Sequence, residues 1–126
     1  MSVARAPDDG FEVHADVLIV GAGCAGRVAA LAAHERGEDV LVLERDAVPS
    51  GSTALSAGLM PAAGTQQLRA AGILDDPLVF AADIMAKANN EPDPVLVETL
   101  TEGAAPTIAW LTERYALPFT LVDDFD

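Results

Sequence analysis

The hydrophobic and polar positions in the first third of the chain follow two different periods. Residues 17–20 (VLIV) and 39–43 (DVLVL) contain short continuous apolar runs rich in β-branched side chains, typical of parallel strands covered on both faces. Between them, residues 24–36 fit a helix that ends at Gly37. The pattern therefore predicts a βαβ unit, the start of a Rossmann-like α/β domain with a parallel sheet.

Beyond residue 60 the apolar positions recur at helical spacing. Helices are predicted over residues 66–71, from residue 77 and from residue 94, and the last two each begin with a proline after a capping aspartate. The apolar stripe of the second helix consists of Phe80, Ala81, Ile84, Met85 and Ala88.

The last helical segment is expected to break at Gly103 and Pro106, because proline has no N–H and disrupts a helix interior. A separate helix would then run over residues 106–115. The predicted apolar positions on both sides of the break are Leu96, Val97, Leu100, Ile108, Trp110 and Leu111.

Three glycines follow the first predicted strand with G-x-G-x-x-G spacing: Gly21, Gly23 and Gly26. They allow a tight turn, a close approach of a pyrophosphate to the backbone, and close packing of the helix on the strand. Glu44 ends the second strand 18 positions after Gly26 (26 to 44), where an acid accepts hydrogen bonds from ribose hydroxyls. The pattern predicts a site for FAD or NAD rather than NADP, although Arg45 could neutralise a phosphate.

Composition narrows the possible partners and the location. The net charge of the 126 residues is −13, which argues against a nucleic-acid partner because such binding needs a basic surface. A single cysteine cannot form an internal disulfide, and residues 1–13 resemble a flexible tail rather than a signal peptide. Residues 15–33 are apolar, but Arg27 and three glycines argue against a transmembrane segment. We expect a cytoplasmic protein.

Residues 52–58 (STALSAG) are rich in small and hydroxyl side chains. One interpretation is a polar loop that ends in a helix. The other is a segment lying against a ligand, with Ser52, Thr53 and Ser56 donating hydrogen bonds. The neighbouring glycine-rich turn favours the second interpretation. No cluster of residues has metal-ligand spacing, so no metal site is predicted.

The runs GAGCAG (21–26), VLVLERD (40–46) and SGSTALSAGLMPAAGT (50–65) resemble the N-terminal part of flavoproteins of the fumarate reductase and succinate dehydrogenase family, which includes 3-ketosteroid Δ1-dehydrogenases. The resemblance extends from about Ala15 to Phe119. It implies FAD as the cofactor, with Glu44 on the adenosine ribose and Arg45 near the adenine. The other residues that it places along the pyrophosphate, ribityl chain and flavin are Ala25, Gly26, Ser52, Thr53, Ala57 and Gly58.

The chain departs from the family pattern at several positions. Ser50 and Leu59 replace frequent glycines, and Pro61 stands where many fumarate reductases have asparagine, which leaves the substrate open. Ser52 occupies the position of the histidine that carries covalent FAD in respiratory complexes. Because serine cannot form that bond, the resemblance implies a noncovalent flavin.

Only two strands precede the helical region, so residues 14–126 are expected to be the first part of an FAD-binding domain in a longer enzyme. That enzyme would transfer a hydride between FAD and a C–C bond beside a carbonyl of a small-molecule substrate. No catalytic residue can be assigned within the chain, and its redox partner is open. The alternatives are an NAD-dependent Rossmann dehydrogenase and a non-catalytic nucleotide-binding module.

Overall fold

The computed structural model describes residues 5, 7, 8 and 10–122, within two compact units that cover residues 1–59 and 60–126. The tail predicted over residues 1–13 lies partly outside the described residues. None of the helices in the described part of the chain has the length and apolar character needed to cross a membrane.

The first unit contains the predicted βαβ arrangement. Its elements are β1 (Val17–Val20), α1 (Cys24–Glu35), β2 (Val40–Leu43) and a single-turn helix α2 (Ser52–Leu55). The two strands are parallel, with Val17 opposite Val40 and Val20 opposite Leu43. The α/β fold class is confirmed, and the helix and second strand begin or end within one residue of their predicted bounds.

The two faces of this small sheet differ in exposure. Val17 and Ile19 are partly buried, and the Ile19 side chain lies beside the first turn of α1. On the opposite face Leu18 is 58% exposed and Val20 82% exposed. The prediction that both faces are covered is therefore wrong for the described residues, because one helix can cover only one face of two strands.

The second unit is helical, with α3 (Gln66–Ala70), α4 (Pro77–Lys87) and α5 (Pro94–Tyr115). Both predicted aspartate caps are present: Asp76 Oδ1 accepts a hydrogen bond from Leu78 N at 2.7 Å, and Asp93 Oδ1 accepts one from Val95 N at 2.9 Å. The predicted stripe of α4 is the half-buried side of that helix. These three features of the sequence are confirmed.

The predicted break at Gly103 and Pro106 is wrong, because α5 is one helix of 22 residues with Pro106 inside it. A proline removes one N–H donor, whereas a continuous buried stripe extends along both halves of the helix. That stripe consists of Val97, Thr101, Ile108 and Leu111. Burial of the stripe outweighs the lost hydrogen bond, and the helix ends only at Ala116, which has a φ of 53°.

The core of the second unit forms around α5. The buried side chains of the described residues are Ala63, Thr65, Val97, Thr101, Ile108 and Leu111. Leu96 and Leu100, which were predicted to continue the apolar pattern, are 67% and 56% exposed because they lie off the buried stripe. Trp110 is partly buried, with its ring edge-on to Tyr115 at a centroid distance of 5.3 Å.

Candidate dinucleotide-binding site

The turn between β1 and α1 requires glycine at two positions for different reasons. Gly21 has a φ of +102°, in the region that side chains rarely adopt. A Cβ on Gly26 would lie 2.0 Å from the carbonyl oxygen of Gly21, far inside van der Waals contact. The missing side chain of Gly26 therefore lets α1 begin directly against the end of β1, as the motif predicts.

Three backbone N–H groups at the start of α1 have no acceptor among the described residues. They belong to Gly23, Ala25 and Gly26. The first N–H groups of a helix have no partner within the helix, and the helix dipole adds positive potential there. This turn therefore fits a pyrophosphate, whose oxygens can accept hydrogen bonds from the free N–H groups.

Glu44 lies directly beside this turn. Its Oε2 accepts a hydrogen bond from Ala22 N at 2.8 Å, and its Oε1 accepts one from Asp46 N at 3.2 Å. The bond from Ala22 N–H, followed by that from Asp46 N–H, lowers the pKa of the Glu44 carboxyl below its usual value. The carboxylate is thus ionised and fixed in place, and its remaining lone pairs can accept hydrogen bonds from ribose hydroxyls.

The Arg45 guanidinium forms an ion pair with the next residue, Asp46. Its Nε and one terminal nitrogen each contact an oxygen of Asp46 at 3.1 Å. Ser50 Oγ donates a further hydrogen bond of 2.7 Å to Asp46, and these two partners lower the pKa of the Asp46 carboxyl. Asp46 therefore balances the charge that Arg45 could have offered to the 2′-phosphate of NADP.

The hydroxyl-rich segment contributes one side chain directly to the turn. Thr53 Oγ1 accepts a hydrogen bond of 3.0 Å from Cys24 N, the first residue of α1. Ser56 instead stabilises its own loop, because its Oγ donates to Thr53 O and accepts from Gly58 N. The remaining predicted contacts, Ser52, Ala57 and Gly58, are exposed and form no hydrogen bond with the glycine-rich turn.

The prediction of site residues did not include two side chains, Arg27 at the turn and Asp46 beside Arg45. Arg27 Nε donates a hydrogen bond of 2.8 Å to Ala22 O, and Asp46 pairs with Arg45. The sequence carried a signal for Arg27: a cation in the first turn of a helix opposes the helix dipole, so it needs another reason to be there. Asp46 carried no comparable signal.

The turn, the helix start and the acid at the end of β2 together define a dinucleotide-binding βαβ unit. Residues 16–124 match the model of the FAD binding domain family, which is most of the chain. The chain therefore belongs to this family of flavoproteins, and FAD is its cofactor.

Relatives of the chain are oxidoreductases by name. Fumarate reductase (cytochrome) from Shewanella frigidimarina is 37% identical over 111 residues, which cover 88% of this chain and 19% of that protein. Urocanate reductase from Eggerthella lenta is 37% identical over 110 residues, covering 87% of this chain and 18% of that protein. The chain thus spans about a fifth of the length of these relatives.

Two solved structures have the same fold. A flavocytochrome c3 fumarate reductase in an open conformation aligns with a TM-score of 0.72 at 38% identity, over 77% of this chain and 17% of that one. A 3-ketosteroid-delta4-(5alpha)-dehydrogenase from Rhodococcus jostii RHA1, in complex with 4-androstene-3,17-dione, aligns with a TM-score of 0.79 at 32% identity, over 90% of this chain and 23% of that one.

Proposed function

We propose that residues 14–126 form the ADP-binding part of a cytoplasmic oxidoreductase in which FAD exchanges a hydride with a C–C bond beside a carbonyl. The observation that carries this proposal is that two features occur side by side. One is the set of three N–H groups at the start of α1 that have no acceptor among the described residues. The other is the ionised Glu44 carboxylate, which two backbone N–H groups hold in place. The N–H groups suit a pyrophosphate, and the carboxylate suits the adjoining ribose. The acidic composition and single cysteine support the proposed location.

The names of the relatives support the reaction class. Fumarate and urocanate each contain a C=C bond conjugated to an acid group, and 4-androstene-3,17-dione contains one conjugated to a ketone. When bound, FAD supplies the hydride chemistry, while the residues of this chain bind and orient it. The proposed substrate is therefore a small dicarboxylate-like or 3-ketosteroid-like molecule with such a bond.

The proposed flavin is held without a covalent bond. Ser52 is the first residue of α2. By its resemblance to the family, Ser52 would take the position of the covalent histidine and would offer a hydroxyl in place of an imidazole nitrogen. Thr53 and the backbone of the glycine-rich turn would supply the noncovalent contacts.

The test uses the protein expressed from its complete reading frame and desalted so that free flavin is removed. The purified protein is expected to show a flavin absorbance spectrum, and acid precipitation should release all of the flavin into the supernatant as FAD. A desalted, unprecipitated sample is the control for retention. Flavin in the precipitate would contradict noncovalent binding, and a colourless protein that takes up no added FAD would contradict the proposed function.

A further inference from the structure

Ala22, the middle residue of the G-x-G sequence, is held by side chains on both sides. Its N–H donates to Glu44 Oε2 at 2.8 Å, and its carbonyl oxygen accepts from Arg27 Nε at 2.8 Å. Glu44 follows β2, and Arg27 lies in the first turn of α1. The two peptide groups next to Ala22 are therefore fixed by two side chains, one within α1 and one directly after β2.

The bond from Arg27 determines the direction of the next N–H group. A trans peptide is planar, and its C=O and N–H point in opposite directions. Because the Ala22 carbonyl is directed at Arg27, the N–H of Gly23 is directed away from Arg27, and it has no acceptor among the described residues. The Gly23 N–H is thus held in one orientation before any ligand arrives.

We propose that Arg27 is a positioning residue for the cofactor's pyrophosphate, acting through the Ala22–Gly23 peptide. The inference rests on the proposed FAD function and adds a residue to it. Without Arg27 this peptide can rotate, since glycine on its C-terminal side places few steric limits on the backbone. Rotation would turn the Gly23 N–H away from the phosphate, so pyrophosphate binding would have to restore the orientation at a cost in affinity.

The variant Arg27→Met removes the donor and the charge but keeps an unbranched side chain. The matched control is Arg36→Met, because Arg36 also donates to a backbone carbonyl of α1, that of Ala32 at 3.2 Å, at the opposite end of the helix. Calorimetric titrations of the apoprotein use two probes. ADP-ribose carries the adenosine and pyrophosphate of FAD, and adenosine carries no phosphate.

Arg27→Met is expected to weaken ADP-ribose binding by about tenfold, as expected for the loss of a charge-assisted hydrogen bond that orders the site. Adenosine binding by Arg27→Met, and the binding of both probes by Arg36→Met, should stay within about twofold of wild type. The tenfold loss should persist at 1 M salt, where the screening length is about 3 Å and distant charges no longer contribute.

Each other result contradicts the inference. An equal loss of adenosine affinity would show a general structural role, a loss present only at low salt would show a simple charge effect, and unchanged ADP-ribose affinity would show no role. A wild-type protein that binds neither FAD nor ADP-ribose would overturn the proposed function and the inference together. Wild-type binding with an unaffected variant overturns the inference alone.

Discussion

The two units of the chain differ in how their side chains are used. All buried side chains of the described residues lie in the helical unit, where Leu111 is 3% exposed, whereas residues 10–59 contain none. The first unit (residues 1–59), here called the glycine-rich unit, instead has N–H groups that lack an acceptor among the described residues, a fixed carboxylate, and a sheet face on which Val20 is 82% exposed. The helical unit therefore has a core of its own, whereas the described residues of the glycine-rich unit contain no buried side chain. A ligand that binds only the folded form of the glycine-rich unit would stabilise it.

The largest expected effect contrasts one glycine from each unit. Gly26→Ala would place a Cβ 2.0 Å from Gly21 O, so the turn must open, and we expect FAD affinity to fall by about a hundredfold. Gly103 lies in the interior of α5, and a Cβ there would have no neighbour within 4 Å. Gly103→Ala should therefore raise the free energy of unfolding by about 0.5–1 kcal/mol without changing FAD affinity.

FAD titration and thermal unfolding of both variants in the complete protein test this contrast. Gly103→Ala is the matched control, because it adds the same methyl group to the other unit. The comparison between the units would fail if Gly26→Ala bound FAD normally, or if Gly103→Ala weakened FAD binding as strongly as Gly26→Ala.

A smaller effect is expected at the acid beside the turn. Glu44→Gln keeps the shape but loses the charge that strengthens its hydrogen bonds, so FAD affinity should fall by about tenfold. The FAD affinity of Glu44→Arg should fall further, because this substitution places a second cation next to Arg45 and removes the acceptor. Titration of the apoprotein at pH 7 measures both changes, and unchanged affinity in both variants would contradict a ribose contact at this strand end.

The lowered pKa of Glu44 predicts how the stability of the folded protein depends on pH. Hydrogen bonds from backbone N–H groups, that of Ala22 above all, lower the pKa of Glu44 in the folded chain below its ordinary value of 4.5. The ionised Glu44 therefore stabilises the folded chain fully at a pH above the pKa that this residue has in the unfolded chain. That stabilisation is lost as the pH falls below 4.5 and through the lowered pKa of Glu44 in the folded chain. Thermal unfolding between pH 6 and pH 3 should show this loss in the wild type and a smaller loss in Glu44→Gln.

The local order of elements could be predicted from the sequence, because short-range patterns determine it. The valine-rich runs, the glycine spacing and the aspartate–proline starts of α4 and α5 all act within a few residues. The continuity of α5 through Pro106 could not be predicted in this way. It depends on the burial of a stripe along both halves of α5, which is tertiary packing, and this burial outweighs a local helix breaker.

Part of the candidate site could likewise be predicted from the sequence. Gly21, Gly26 and Glu44 follow from a motif in which each position has a steric or hydrogen-bonding requirement, and the structure places them together. The contacts of Thr53 and Arg27 with the turn depend on side-chain directions that no spacing rule determines. Whether the predicted site residues contact FAD stays a prediction.

Amide hydrogen exchange of the complete protein, with and without saturating FAD, tests the central claim most directly. The claim is that the glycine-rich unit binds the cofactor through its turn, while the helical unit has its own core. FAD should increase protection at residues 22–27 and 44–58 and leave residues 94–115, already protected by their burial, nearly unchanged. Unchanged exchange at residues 22–27 together with new protection confined to α5 would contradict the account.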